Sequence, residues 1–219
     1  MLFFPSHDSE ETELRPWTVE GKVIGFCREI EKPAAIWLMT HGNGGQANQR
    51  GYILKRMSER DSLYVLEYPG YGSRDGVPSR ASIDAALGDA YNVLRKRYPG
   101  VPLCALGESM GSGPASFLAT MPAPPEKIVL IVPFDSLASV AAAQIPFFPV
   151  RMLIRDDWNN IDSLKAYKGR VEIFAANDDE IIPYSRAKNL AAHVPGAKFF
   201  TMPGGHGWSN TRFPVRIER

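Results

Sequence analysis

Gly107-Glu108-Ser109-Met110-Gly111 is a G-x-S-x-G pentapeptide between an apolar run, Leu103–Leu106, and a stretch rich in small residues. Serine is a weak nucleophile until a base takes its proton. A tight strand-to-helix turn would expose its hydroxyl, and glycines on either side remove side chains that would clash there. The free N–H groups of the following helix then face the serine oxygen, with the positive end of the helix dipole behind them. The chemistry this arrangement serves is acyl transfer.

The chain has four histidines from which to draw a base: His7, His41, His193 and His206. His7 lies in a polar tail, and His193 falls in a helical pattern where a surface position is expected. His41 ends a strand before a glycine-rich loop. His206 lies in Met202-Pro203-Gly204-Gly205-His206-Gly207-Trp208, after the last strand-like run, where flanking glycines let an imidazole reach over a sheet edge. His206 is therefore the candidate base. A base of this kind needs a carboxylate partner. Asp178, Asp179 and Glu180 follow the Val171–Ala175 run, and Asp135 follows an earlier one; residue chemistry alone leaves Asp178 and Asp179 equivalent. An oxyanion needs backbone N–H donors. Met110, beside the serine, is one candidate. Asn43, with Gly44 as alternative, is the other, from Thr40-His41-Gly42-Asn43-Gly44-Gly45. That loop carries neither a P-loop lysine nor a G-x-G-x-x-G phosphate fingerprint.

The elements that must hold these groups alternate along the chain. Leu14–Val19 and Lys22–Arg28 flank Glu20-Gly21 as a hairpin. Ala34–Thr40, Leu63–Glu67, Pro102–Leu106, Lys127–Val132, Val171–Ala175 and Lys198–Met202 read as strands, several of them apolar throughout. Helices are expected over Ala47–Arg60, along the apolar face Ile83, Ala86, Leu87, Ala90, Tyr91, Leu94 and Tyr98, over Met110–Thr120, and over Tyr184–Val194. This alternation predicts an α/β fold with a mostly parallel, doubly wound sheet. Residues 1–219 read as a single domain. Residues 134–169 break the rhythm and read as either a surface helix pair or a short lid, in which Ile145, Phe147 and Phe148 could line an acyl pocket.

Composition narrows the classes. The chain is 44% hydrophobic and 22% charged, with a net charge of +1, which gives no reason to expect nucleic acid as a partner. No stretch reads as a signal peptide or a membrane span, so the expected location is cytoplasmic. Cys27 and Cys104 read as buried free thiols. No metal or organic cofactor is implied, and the oligomeric state is not encoded in any visible pattern.

The H-G-N-G-G loop at His41–Gly45, E-Y-P-G-Y-G at Glu67–Gly72, G-E-S-M-G at Gly107–Gly111, D-E-I-I-P at Asp179–Pro183 and G-G-H-G at Gly204–Gly207 occur in an order that resembles the α/β-hydrolase superfamily. The resemblance runs from about Ala34 to Trp208. It implies the α/β-hydrolase fold and the order Ser109, Asp179, His206 for a catalytic triad; it is the resemblance that selects Asp179 over Asp178. H-G-N-x-G, P-G-Y-G and Phe148-Pro149-Val150-Arg151 look like a small-lid branch containing esterases, thioesterases and protein depalmitoylases. Ala176 stands where a glycine is common, and the stretch after Trp208, with Pro214, is short for that branch's last helix. The implied activity is hydrolysis of a small-molecule carboxylic ester or thioester through an acyl-enzyme. Its rivals are peptide or carbon–carbon cleavage on the same fold, and a non-catalytic binding protein.

Overall fold

A computed structural model of the chain describes residues 3–8, 12–144, 157–210 and 215–219. Its strands are β1 (Phe4–Pro5), β2 (Arg15–Val19), β3 (Lys22–Arg28), β4 (Ile36–Thr40), β5 (Gly44–Gly45), β6 (Ser62–Leu66), β7 (Leu103–Glu108), β8 (Lys127–Ile131), β9 (Arg170–Ala176) and β10 (Lys198–Met202). The helices are α1 (Arg80–Arg97), α2 (Ser112–Phe117), α3 (Leu137–Gln144), α4 (Asn160–Leu164) and α5 (Tyr184–His193).

β2 and β3 form the expected hairpin; Glu20 and Gly21 both take positive φ, the backbone a tight two-residue turn requires. The main sheet runs β10-β9-β8-β7-β4-β6-β3-β2. Its pairings from β6 to β10 are parallel, and β3 joins β6 antiparallel. β4, β6, β7 and β8 are buried at every residue because helices and loops cover both faces. Alternate residues divide between two cores: Ile36, Leu38 and Ala105 pack with α1, whereas Trp37, Met39 and Leu106 pack with Ile53, Trp208 and Ile217. The fold is the α/β-hydrolase fold.

Two helices depart from expectation. Ala47–Arg60 is a 3₁₀ helix that stops at Arg56. Gly51 weakens the middle of the run, and the N–H of Ile217 takes the Arg56 carbonyl at 2.8 Å, a group that continuing the helix would have used. Met110–Thr120 is broken into a 3₁₀ turn at Ser109–Gly111, the α2 helix and a second 3₁₀ turn at Leu118–Thr120. Pro114 has no N–H to give, which the first turn of a helix tolerates. The pairing of β1 with β5 had no sequence signal, since neither is longer than two residues.

The 134–169 excursion leaves after β8 and returns into β9, its neighbour in the sheet. Its two ends are tied to each other, and the returning end is tied to the body. Asn160 donates to the Phe134 carbonyl at 2.9 Å and to Ser112 Oγ at 3.1 Å, and Trp158 Nε1 donates to Asp84 at 2.9 Å. Ile145, Phe147, Phe148, Pro149, Val150 and Arg151 lie outside the described residues, as does Pro214.

Cys27 and Cys104 are free and buried. Burial raises both thiols, Cys104 to about 12. Thiolate, the reactive form, is therefore scarce as well as shielded. The folded protein is expected to leave Ellman's reagent unconsumed at mildly alkaline pH, with both thiols titrating once guanidinium unfolds it. Rapid reaction of either thiol in the folded chain would contradict their burial.

Candidate active site

β4 and β7 are neighbours, yet the chain leaves them toward opposite sides of the sheet, β4 toward β6 and β7 toward β8. A crevice opens at the carboxyl ends of strands where winding reverses in this way. Ser109 stands there, with φ of +53°. Holding a side chain in that region costs about 1–2 kcal/mol, so the surroundings must enforce it. The motif glycines explain how. A Cβ on Gly107 would lie 2.7 Å from Ala115 Cβ, and one on Gly111 only 2.1 Å from the Thr40 carbonyl oxygen. Thr40 Oγ1 donates to the Gly111 carbonyl at 2.7 Å, locking the turn against β4.

The loops after β9 and β10 bring the other two groups. The Asn177 N–H donates to the Met202 carbonyl and the Asp178 N–H to the Gly204 carbonyl, which zips the loops together. His206 Nε2 lies 2.8 Å from Ser109 Oγ, and its Nδ1 lies 2.8 Å from Asp179 Oδ2. A carboxylate only accepts hydrogen bonds, so Nδ1 donates to Asp179, and in the neutral imidazole Nε2 then accepts from the serine hydroxyl. Asp179 Oδ1 also accepts the N–H groups of Ile181 at 2.9 Å and Ile182 at 2.8 Å, which aims the carboxylate inward. Asp178 is exposed. Asp135 accepts instead from Asn189 at 2.8 Å and pairs with Arg186 at 3.5 Å. Glu180 accepts the His206 N–H at 3.1 Å. Backbone N–H groups, its own and then that of His206, hold the Glu180 carboxyl below the usual range.

On the opposite side of Ser109, a Cβ built on Gly42 would lie 3.6 Å from Ser109 Cβ, so the loop carrying Asn43 and Gly44 passes close to the serine. The Asn43 side-chain oxygen accepts from the Phe4 N–H and from the Tyr71 hydroxyl, each at 2.9 Å. Burial pushes the Tyr71 phenol up to about 12, so it remains a donor. Gly44 pairs with Phe4, and its carbonyl accepts from Arg50. Met110 is buried directly after Ser109. His41 is buried behind this loop: it stacks on Tyr68 at 4.1 Å, its Nδ1 donates to the Gly42 carbonyl at 2.8 Å, and its Nε2 lies 3.4 Å from Glu67. His193 is exposed on α5 and His7 contacts the Gly72 carbonyl, so His206 is the histidine brought to Ser109.

Sequence reasoning missed the N-terminal strand that braces Asn43, and it missed Glu108, whose carboxylate accepts from Tyr52 and Trp208. Glu108 lies inside G-E-S-M-G and Trp208 directly follows G-G-H-G, but nothing local signals that they meet. Among the described residues no cluster of three or more His, Cys, Asp or Glu could hold a metal ion, and no helix is long and apolar enough to cross a membrane.

No family model matches the chain. An uncharacterized protein of Mycobacterium tuberculosis is 30% identical over 174 residues, 77% of this chain and 62% of that protein. Lysophosphatidylserine lipase ABHD12 of Danio rerio is 28% identical over 199 residues, covering 76% and 52% of the two chains. Alpha/beta hydrolase domain-containing protein 17B of Xenopus laevis is 29% identical over 171 residues, covering 75% and 57%. The chain thus spans between half and two thirds of the length of these curated relatives. Among solved structures, an esterase of Pyrococcus furiosus superposes with a TM-score of 0.71 at 13% identity, covering 97% of this chain and 92% of that one. The esterase domain of a Rhodothermus marinus protein superposes with a TM-score of 0.68 at 15% identity, covering 93% of each.

Proposed function

We propose that the chain, which has the α/β-hydrolase fold and is similar to proteins named alpha/beta hydrolase domain-containing, is a serine hydrolase acting on a carboxylic ester or thioester. The observation that carries this is the relay Asp179–His206–Ser109, with contacts of 2.8 Å on each side of the imidazole, assembled on a strained turn at the sheet's switch point. The esterase and lipase names of similar proteins support the substrate class.

In this mechanism Ser109 Oγ attacks the carbonyl carbon as its proton passes to His206 Nε2. Asp179 stabilises the resulting imidazolium. The former carbonyl oxygen becomes an oxyanion, held by the N–H of Met110 and that of Asn43, with Gly44 as the alternative donor; one such donor is worth about 3 kcal/mol. The tetrahedral intermediate collapses, the bond to the leaving oxygen or sulfur breaks, and His206 returns the proton to it. Water then attacks the acyl-enzyme, giving its proton to His206, and the carboxylic acid leaves as the proton returns to Ser109. Residues 1–219 act as one hydrolase domain in this reading, with 134–169 as a lid-like excursion whose returning end is anchored near the elbow through Asn160 and Ser112.

A fluorophosphonate probe, which phosphonylates activated serines, tests the proposal. The chain is expected to label at one site, with the adduct mapping to Ser109. An unlabelled folded chain, or an adduct elsewhere, would overturn it.

A further inference from the structure

His206 is flanked by Gly204, Gly205 and Gly207, so its own backbone does little to hold the imidazole in place. Glu180 fixes the loop from one side through the His206 N–H. A second restraint comes from inside the nucleophile motif. Along β7, Cys104 and Leu106 point into the core that contains Trp208, and Glu108 falls on that same face of the strand. Its carboxylate is largely buried there, a costly placement unless it is well paired.

The pairing is specific. Glu108 Oε1 accepts from Trp208 Nε1 at 2.7 Å, and Oε2 accepts from the Tyr52 hydroxyl at 2.6 Å. Tyr52 also packs edge-on against Trp208, with ring centroids 5.8 Å apart. The guanidinium of Arg50, close enough to Glu108 to feel its charge, donates to the carbonyl of Gly44. Trp208 is itself tied to the base, because its N–H donates to the His206 carbonyl at 2.8 Å. A short rigid path therefore runs from the residue preceding Ser109, through Glu108 and Trp208, to His206.

We infer that Glu108 is a positioning residue that sets the His206 imidazole against Ser109 by holding Trp208. The inference rests on the serine-hydrolase reading. Misplacing a catalytic group by about 1 Å costs about 10²-fold in rate. Glu108→Ala is accordingly expected to lower kcat for a nitrophenyl ester by about 10- to 100-fold while leaving KM nearly unchanged. Glu108→Gln keeps an acceptor for Trp208 and a polar partner for Tyr52, and is expected to recover most of the rate. Trp208→Phe keeps the ring packing but removes the indole N–H. It should lower kcat as well, and the Glu108→Ala, Trp208→Phe double variant should be no slower than Glu108→Ala alone. Trp208→Phe also serves where Glu108→Ala fails to fold. Unchanged kcat in folded single variants, losses confined to KM, or losses that multiply in the double variant would overturn the role of Glu108. Wild-type chain inert to the fluorophosphonate probe would overturn the serine-hydrolase reading and this inference with it; a probe-reactive wild type whose Glu108→Ala variant labels equally fast would overturn the inference alone.

Discussion

Ser109→Ala is expected to lower nitrophenyl ester hydrolysis by on the order of 10⁶-fold, close to what Ser–His machinery contributes when its members act as a unit. The alanine variant loses the attacking oxygen but keeps the turn, because Gly107 and Gly111 still permit the close approach to Ala115 and Thr40. The folded protein should therefore retain its melting temperature. It should also retain residual turnover of about 10³-fold over water, supplied by the oxyanion donors and substrate binding. A folded variant that keeps more than a small fraction of wild-type turnover would show that another group carries the reaction.

His206→Ala is expected to cost a comparable factor, on the order of 10⁶-fold, because an unassisted serine hydroxyl is a poor nucleophile and the leaving group loses its proton donor. The side chain lies at a loop position and is 15% exposed, so its removal leaves a small, solvent-accessible gap and the fold should persist. Combining it with Ser109→Ala should cost almost nothing further, since each single change already disables the pair. A mild loss, or losses that multiply, would mean that His206 is not the base for Ser109. His41 also lies at this edge of the sheet, but it faces Glu67 and Tyr68 and shapes the Gly42 loop from behind.

Much of the architecture was legible before the structure. The continuous apolar runs of β4 and β8 marked strands covered on both faces, and the apolar face from Ile83 to Leu94 marked α1; the cores contain these residues. Short elements were less legible. Ala47–Arg56 has helical composition, but where it stops depends on Ile217, far along the chain, capturing the Arg56 carbonyl. β1 pairs with β5 because the N-terminal segment crosses the Asn43 loop, a contact with no counterpart in local pattern.

The amino-acid sequence by itself determined the reactive residue types, the glycine spacing that permits a sharp turn at Ser109, and the alternation that makes a parallel sheet. These depend on backbone sterics and on the period of side chains along a single element, which are local properties. Tertiary structure alone decided which side chains meet. Asp178 and Asp179 are chemically equivalent neighbours that only the family resemblance separated in the sequence, and it is the folded chain that sets the Asp179 carboxylate 2.8 Å from His206 Nδ1. Ser109 meets His206, and Glu108 meets Trp208, because the order of strands in the sheet brings the ends of β7, β9 and β10 to one edge. That order is set by how the whole chain buries its two apolar faces, and no short stretch of residues contains it.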